Sequence, residues 1–416
     1  KLIGVVVGVH ERQYYLSGEL LQSDEAAGVR TWLADATKPK QGYDLHRADL
    51  VLHWYGITFA GAAFDVQLAG YLLDPTDANQ TLSGLAAKHS LPSIRPDEDV
   101  WGKGAKYKIP SEDILAEHLA RKAAVVGALV PAQEEQLEQN GMKQLFHDME
   151  MPLSRILADM EKQGIAVNVD ELKQLGHEFE TQIEALVQDI YRNAGVEFNL
   201  NSPKQLGEVL FDKLGLPVVK KTKTGYSTDA EVLEKLAPYN DVVQNILKYR
   251  QLAKLQSTYV EGLLKEISEK TGKVHTFYRQ TIAATGRLSS QFPNLQNIPI
   301  RMEEGRKLRK VFVPSEPGWS ILAADYSQIE LRVLADISDD ERLKEAFVHN
   351  MDIHTKTASD VFGVKPEDVD ANMRRSAKAV NFGIVYGISD YGLSQNLNIT
   401  RKEAAQFIDQ YFDVFQ

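Results

Sequence analysis

The sequence predicts a compact α/β domain followed by a longer, mainly helical region. Residues 3–17 have the pattern of two paired strands, whereas helical periodicity dominates from residue 112 onward. A length of 416 residues suggests about two to four domains. Because 43% of the residues are hydrophobic and no apolar run reaches about 18 residues, the chain can bury several cores and is predicted to lack a membrane helix.

The α/β domain is predicted to cover residues 1–130. Residues 1–7 are apolar enough for a signal-peptide core, but they lack a small-residue cleavage site and lead into alternating residues, which favours a strand. Short apolar runs mixed with glycine and aromatic residues follow at 50–73. A stretch rich in proline and lysine, 92–110, is predicted to be irregular surface, and the helical pattern at 112–129 completes the domain.

Helices are predicted through the middle of the chain. Apolar residues recur there at helical spacing, and the clearest stripe consists of Leu145, Met149, Leu153, Ile156, Leu157 and Met160. Further helices are predicted at 203–214, 229–237, 241–251 and 252–270. A polar, basic loop at 220–226 lies between them and indicates a protruding helical lobe. A plain helical bundle with a solvated tip is the alternative.

The C-terminal part is predicted to combine one buried strand with several helices. Residues 319–324 are a short apolar run that ends at Asp325, which predicts a buried strand with a carboxylate at its end. Helices are predicted around Ile329, Val333 and Ile337, over 372–386 with Asp370 or Asn372 as the N-cap, and from about Arg401 onward.

Charge is distributed unevenly along the chain. The net charge is −11, and residues 1–150 hold 14 lysines and arginines against 21 acids. Residues 271–310 instead hold 8 basic residues against 2 acids, a net charge of +6. A basic tract in an acidic chain predicts a phosphate-binding surface, with a solvated basic surface as the alternative. The chain has no cysteine, which excludes disulfides, thiolate zinc sites and thiol catalysis and fits a reducing cytosol.

Two cations and two aromatic residues recur every four positions in the predicted helix 372–386. Arg374, Lys378, Phe382 and Tyr386 lie within an arc of about 120° along about 18 Å of helix axis. Cations can hold phosphates and aromatic rings can stack on a base, so this order predicts a nucleoside triphosphate lying along the helix. An amphipathic core helix with solvated polar residues is the alternative.

A carboxylate and a polar tract are further candidates for chemistry. Asp325 at the end of a strand, with Glu330 five residues later, has the oxygen ligands that Mg²⁺ prefers, and two such ions often serve nucleotidyl transfer. An ordinary helix-starting Asp is the alternative. The tracts 285–290 and 293–299 carry hydroxyls, amides and one arginine, which suits contacts to a phosphodiester backbone or to minor-groove acceptors. A polar loop is the alternative there.

In these segments the sequence resembles the family A DNA polymerases, in the large-fragment form of the bacterial members. The matching motifs are Asp325-Tyr-Ser-Gln-Ile-Glu-Leu-Arg332, Arg374-Arg-Ser-Ala-Lys-Ala-Val-Asn-Phe-Gly-Ile-Val-Tyr-Gly387, Thr285-Gly-Arg-Leu-Ser-Ser290, Asn294-Leu-Gln-Asn-Ile-Pro299 and Asp352-Ile-His-Thr355. The resemblance covers essentially the whole chain. It implies DNA-templated addition of deoxynucleoside triphosphates to a primer 3′ end by a two-Mg²⁺ reaction. The implied partners are primer–template DNA and the nucleotides, for a monomer in the bacterial cytoplasm, associated with the nucleoid.

The resemblance also implies a domain order. A ribonuclease H-like, exonuclease-type domain would occupy 1–130, incomplete palm segments 131–170 and 281–345, the helical thumb 171–280, and the first part of the fingers 346–416.

Individual roles follow from the resemblance as well. Asp325 would bind both metal ions with help from the Tyr326 main-chain carbonyl. Nucleotide contacts would come from Gln328, Glu330, His354, Arg374, Lys378, Phe382 and Tyr386, with Glu330 blocking a ribose 2′-hydroxyl. DNA contacts would come from Arg250, Lys254, Arg287, Asn294, Gln296 and Asn297, with Arg287 in the minor groove at the primer end.

The first domain departs from the family's proofreading exonuclease. Ala48 stands where the second acid motif has Asp, and Asp49 is one residue out of register. In the third motif Ile114 replaces Tyr and His118 replaces Asp. We therefore expect no proofreading and a domain kept as a packing scaffold.

The family's His-Asp-Glu motif does not occur in these 416 residues. We therefore expect this chain alone to be inactive and to expose an unpaired palm surface, and a non-catalytic DNA-binding fragment is one alternative. A single-subunit RNA polymerase is another. Glu330 argues against it because a carboxylate would clash with ribose, and Phe382 does so because the RNA enzymes carry Tyr there.

Overall fold

A computed structural model of the chain describes residues 2–223, 225–300 and 302–415. The chain forms two compact units, Lys1–Ile321 and Leu322–Gln416. Arg301, part of the predicted basic tract, lies outside the described residues. Among the helices of the described ranges, none is both long enough and apolar enough to span a bilayer.

The N-terminal part of the first unit is an α/β arrangement, as predicted. Gly4–Val9 and Arg12–Ser17 form an antiparallel hairpin in which Gly4 lies opposite Ser17. Lys40–Gly42 and Ala62–Asp65 form a parallel pair. The helices are Gly18–Gln22, Ala27–Ala34, Leu45–Trp54, Val66–Leu73, Leu82–Lys88, Asp97–Trp101 and Glu112–Gln139, with 3₁₀ turns at Asp24–Ala26 and Gly104–Lys106.

The last of these helices is longer than the sequence pattern indicates. It passes through Pro131, which removes one backbone N–H, and continues to Gln139. Leu129 and Leu137 are fully buried on either side of the proline, so packing against one core holds the helix together. The stretch 92–110 is irregular as predicted, apart from its two short helical turns.

The rest of the first unit is mainly helical. Its helical segments are Leu145–Glu150, Met151–Gln163, Val169–Ala194, Pro203–Gly207, Glu208–Lys213, Ala230–Leu236, Ala237–Tyr239, Asp241–Lys254, Leu255–Glu261, Gly262–Glu266 and Glu303–Lys310. Its short strands are Ile165–Val167, Lys221–Thr222, Gly225–Tyr226, Lys273–Val274, Phe277–Arg279, Ser289–Gln291 and Phe312–Val313. The two helices predicted at 241–251 and 252–270 are one continuous helical stretch that ends at Glu266.

The predicted apolar stripe of residues 145–160 is helical, but most of it does not face a core. Met149 and Ile156 are exposed, whereas Leu157 is buried. The buried face of Met151–Gln163 also includes the polar Ser154 and Glu161. His46 of helix Leu45–Trp54 contacts this face. Its Nδ1 lies 3.2 Å from the Ser154 main-chain carbonyl, and its Nε2 lies 2.9 Å from Glu161 Oε2, so the Glu161 carboxylate is held toward helix Leu45–Trp54.

The regular secondary structure of the second unit's described residues is helical. Its helices are Ile329–Ser338, Glu341–Val348, Ile353–Phe362, Ala371–Val385, Asp390–Leu397 and Arg401–Val414, with a 3₁₀ turn at Pro366–Asp368. Asp370 caps Ala371–Val385 by accepting the Met373 N–H at 2.8 Å, as the sequence predicts. Thr400 and Glu403 form a capping box at the last helix, whose start near Arg401 is also confirmed.

The predicted strand at 319–324 is wrong. No described residue pairs with this segment, which has no regular structure, and Leu322 is 91% exposed. A strand requires partners for its backbone N–H and C=O groups, and an apolar run alone cannot supply them. Asp325 therefore follows an extended, solvent-exposed segment rather than a buried strand.

Candidate functional site

Helix Ala371–Val385, here called the cation–ring helix, carries the predicted phosphate-binding cations. Arg374 Nε donates to Asp352 Oδ2 at 2.9 Å. Asp352 is itself the N-cap of helix Ile353–Phe362 and accepts the His354 N–H at 2.9 Å. Burial alone would raise the pKa of Asp352, but the hydrogen bond from Arg374 and those from backbone N–H groups lower it overall. A charged Asp352 thus holds the Arg374 guanidinium at the start of the neighbouring helix.

His354 lies between the two helices and is only 3% exposed. Its ring centroid is 5.8 Å from that of Phe382. Burial lowers the pKa of His354 and outweighs the opposing charge of Asp352, so the imidazole is neutral at pH 7.

Two side-chain amides face the two nitrogens of that imidazole. Asn381 Nδ2 lies 3.1 Å from His354 Nδ1, and Thr357 Oγ1 donates to Asn381 Oδ1 at 3.2 Å. Both Asn381 and Thr357 are fully buried. Gln328 Nε2 lies 3.3 Å from His354 Nε2. An amide N–H can only donate, and a neutral imidazole has one acceptor nitrogen, so the ring accepts from one of the two amides.

These groups open onto a polar cavity of about 310 Å³, here called the nucleotide cavity. Its wall is formed by Ser327, Gln328, Arg332, Phe347, Asn350, Met351, Asp352, Ile353, His354 and Arg374. Arg332 Nε donates to the Ser327 carbonyl at 2.8 Å, and its guanidinium lies 4.6 Å above the Phe347 ring. The predicted motif at 325–332 and the cation–ring helix therefore meet at one concave, charged surface.

The structure unites some predicted nucleotide residues and leaves others apart. Gln328, His354 and Arg374 line the cavity, and Phe382 contacts His354 from beneath. Tyr386 ends the cation–ring helix and is 63% exposed. Lys378 does not line the cavity, although its charge acts on His354.

The predicted metal ligands lie on an open surface. Asp325, the Tyr326 side chain and Glu330 are exposed. A carboxylate and a main-chain carbonyl are the oxygen donors that a divalent cation accepts, so Asp325 and Tyr326 fit part of such a site. Within the described ranges, however, no group of three or more His, Cys, Asp or Glu side chains could hold a metal ion.

The predicted DNA residues lie in the first unit and are mostly exposed. Arg250 is an exception, because its Nη1 donates to the Thr228 carbonyl at 2.5 Å. Lys254, Arg287, Asn294, Gln296 and Asn297 are exposed. Asn294 accepts the Gln296 N–H at 2.9 Å, and Gln296 Nε2 donates to the Leu288 carbonyl at 3.2 Å. These side chains thus order their own loop and still present polar groups to solvent.

Salt bridges occupy the region where exonuclease acids were expected. Asp49 is buried and accepts from Lys162 Nζ at 2.7 Å, so it serves helix packing. His118 Nε2 lies 2.7 Å from Asp97, whose carboxylate also accepts from Lys122 Nζ at 2.9 Å. Asp97 is therefore paired with two side chains of helix Glu112–Gln139.

The sequence does not predict several residues that line or support the nucleotide cavity, among them Arg332, Asn381 and Thr357. Asn381 follows Lys378 by three positions, but only the neighbouring helix shows that it meets His354. A polar residue in the apolar face of the cation–ring helix is the one signal that could have identified Asn381.

Comparisons with known proteins agree with this arrangement. The family profile "DNA polymerase family A" matches residues 169–416, and "DNA polymerase I, ribonuclease H-like domain" matches residues 1–129. The DNA polymerase I of Geobacillus stearothermophilus is 57% identical over 414 residues, which are 100% of this chain and 47% of the relative. That of Bacillus subtilis (strain 168) is 54% identical over 403 residues, 97% of this chain and 46% of the relative.

A solved structure is similar over the same extent. It is described as the POL domain of Pol1 from M. smegmatis in complex with DNA primer-template and dNTP. The TM-score is 0.86 at 39% identity, with 97% of this chain and 68% of that chain covered. This chain spans about half the length of the curated relatives that it matches. The predicted fold class is confirmed, and the chain belongs to the family A DNA polymerases, with a ribonuclease H-like domain ahead of its polymerase domain.

Proposed function

We propose that the protein containing this chain synthesises DNA on a DNA template, by adding deoxynucleoside triphosphates to a primer 3′ end with release of pyrophosphate. The observation that carries the proposal is the nucleotide cavity, where Gln328, His354 and Arg374 converge. The names of the relatives and the nucleotide in the similar M. smegmatis complex support it.

The triphosphate would be held by Arg374, Lys378 and His354. Arg374 is pre-oriented by Asp352 and keeps further N–H groups for phosphate oxygens. A neutral His354 would donate a ring N–H to a phosphate oxygen without adding a charge that binding would have to neutralise. Lys378 adds a mobile point charge from the same helix. The cations therefore gather on one side of the bound nucleotide.

Sugar and base would lie toward the aromatic end of the cation–ring helix. Phe382 would stack near them, and Tyr386 would stand at the head of the insertion site. Gln328 would contact the nucleotide, and Glu330 would exclude the 2′-hydroxyl of a ribonucleotide. These proposed roles follow the order of residues along the helix, in which the charged residues come first and the aromatic residues after them.

We assign magnesium as the cofactor, held by the Asp325 carboxylate and the Tyr326 main-chain carbonyl. Bound Mg²⁺ would offset phosphate charge and favour ionisation of the attacking 3′-oxygen. The residues of this chain would bind the triphosphate, orient the base and select the sugar.

Duplex binding would use the first unit, through Arg250, Lys254, Arg287, Asn294, Gln296 and Asn297. We propose the palm segments 131–170 and 281–345, the thumb 171–280 and the fingers 346–416 as the functional divisions. We further propose that the protein is a cytoplasmic, nucleoid-associated monomer that uses Mg²⁺ and does not proofread. Ala48 and His118, at the positions of two exonuclease acids, support the last point.

Primer extension by the full-length gene product tests this function. Arg374→Ala should raise the KM for deoxynucleotides by about 10- to 100-fold, because a charge-assisted contact to phosphate is lost. The matched control is Arg375→Ala on the same helix, about 100° around its axis and exposed. It should leave the KM unchanged. Failure of the wild-type protein to extend a primer, or equal effects of the two changes, would contradict the proposal.

A further inference from the structure

The residue proposed to read the primer terminus, Arg287, lies in a long hairpin loop. Strands Phe277–Arg279 and Ser289–Gln291 pair antiparallel, with Ser289 opposite Arg279, and residues 280–288 connect them. Here these residues are called the 280–288 loop. Backbone pairing between the strands orders the base of such a loop but not its tip. The position of Arg287 therefore depends on contacts that the tip makes elsewhere.

The tip is held by a tyrosine of the ribonuclease H-like domain. Tyr71, on helix Val66–Leu73, is only 3% exposed, and its hydroxyl donates to the Ala283 carbonyl at 2.5 Å. The Gly286 N–H donates to the same Ala283 carbonyl at 3.2 Å. One buried hydroxyl thus holds the carbonyl that closes the turn 283–286, directly before Arg287.

The same loop is fixed at its start by a second contact. Gln280 is nearly buried, and its Nε2 donates to the Glu150 carbonyl at 3.1 Å and to Glu150 Oε2 at 2.8 Å. Gly286 adopts φ +79°, a conformation that favours glycine, and no atom lies within 4 Å of the position where a Cβ would be. The positive φ of Gly286 thus defines the shape of the turn, and the space around its Cβ position is open.

We propose that Tyr71 is a positioning residue for primer–template binding: its hydroxyl holds the turn 283–286 so that Arg287 is presented to the duplex. This gives the ribonuclease H-like domain a part in DNA binding that does not need exonuclease acids. The inference rests on the proposed function, since it requires Arg287 to contact DNA.

The Tyr71 ring belongs to the core with Phe64 and Leu85, whereas only the hydroxyl reaches the loop. Tyr71→Phe therefore removes the loop contact and keeps the packing. A matched control exists in the same domain. The Tyr43 hydroxyl donates to the Gln80 carbonyl at 3.0 Å and accepts from Gln67 Nε2 at 3.1 Å, and neither partner belongs to the loop.

The test is the affinity of the full-length gene product for a fluorescent primer–template duplex, measured by anisotropy at fixed salt. Tyr71→Phe should weaken binding by about 3- to 10-fold, the effect of one hydrogen bond, whereas Tyr43→Phe should leave it unchanged. Combined with Arg287→Ala, Tyr71→Phe should cause no further loss, because it acts through Arg287. Gly286→Ala, which disturbs the same turn without a clash, should also weaken binding.

Three results would overturn the inference. Unchanged affinity for both Tyr71→Phe and Gly286→Ala, alongside a loss for Arg287→Ala, would show that the turn does not position the arginine. Additive losses in the Tyr71→Phe/Arg287→Ala double variant would place any effect of Tyr71 elsewhere. No loss for Arg287→Ala itself would remove the DNA contact assigned under the proposed function, and that failure is distinguishable from the other two.

Discussion

Among single residues, His354 shows how a protein sets the state of a titratable group before a ligand arrives. Its lowered pKa keeps the ring neutral at pH 7, and the Asn381 and Gln328 amides face its two nitrogens. Thr357 in turn holds the Asn381 amide by donating to its oxygen. A surface histidine would exchange between its neutral and charged forms near neutral pH. Here the neutral form faces the nucleotide cavity.

Changing Asn381 to Asp should reverse that arrangement. A carboxylate favours a proton on Nδ1 and stabilises the imidazolium, so the pKa of His354 should rise. Nucleotide affinity should then fall as pH increases through the raised pKa, whereas in the wild-type protein, in which burial lowers the pKa of His354, that fall should lie at lower pH. The measurement is the KM for deoxynucleotides against pH. Asn372→Asp, an exposed change on the same helix, is the control, and identical pH profiles for the two variants would contradict the assignment.

At the scale of helices and strands, the sequence predicts those elements whose ends are set by neighbouring residues. The side-chain caps Asp370 and Thr400 mark helix starts that the sequence already indicates. The strand at 319–324 failed because a strand exists only when a distant segment pairs with it. The apolar stripe of 145–160 failed in another way, because the buried face of its helix includes the polar Glu161, which bonds to His46, 115 residues earlier in the chain.

The docking of helix Leu45–Trp54 on Met151–Gln163 should depend on pH. His46 Nε2 lies 2.9 Å from Glu161 Oε2, and although burial would lower the pKa of His46, this carboxylate raises it overall. The stabilisation is fully present below the unfolded pKa of about 6.5 and is lost as pH rises through the higher folded value. His46→Gln should therefore cost roughly 1–3 kcal/mol of unfolding free energy near pH 6 and less near pH 9.

Urea unfolding of the wild type and of His46→Gln at both pH values measures this difference. His53→Gln, on the same helix, serves as the control because no carboxylate bond to His53 is seen among the described residues. A destabilisation by His46→Gln that stays constant with pH would show that the ion pair does not contribute.

For the molecule as a whole, the resemblance in its motifs predicted the fold class and the family. The contacts that position the site residues could not be predicted from those motifs. Gln328, His354 and Arg374 come from three separate segments, and their convergence required the packed helices. The Tyr71 contact with the turn 283–286 spans 212 residues, and nothing in either segment alone indicates it. Long-range contacts of this kind depend on the packing of the whole first unit.

The ribonuclease H-like domain should lack exonuclease activity although its fold is retained. Ala48 offers no ligand, Asp49 is paired with Lys162, and His118 stands at the position of the third-motif acid. We expect the purified full-length gene product, incubated with Mg²⁺ and a labelled single-stranded DNA, to leave the 3′ end intact. Shortening of that strand by the wild type, retained when Asp325→Ala abolishes synthesis, would refute this expectation.

The most direct test of the central claim is a crystal structure of the full-length gene product with primer–template, Mg²⁺ and a non-hydrolysable deoxynucleotide. The account predicts that the triphosphate contacts Arg374 and His354 Nε2 and that the Asp325 carboxylate coordinates a metal ion on the same phosphates. A triphosphate bound away from the cation–ring helix, or an Asp325 remote from its metal, would contradict it.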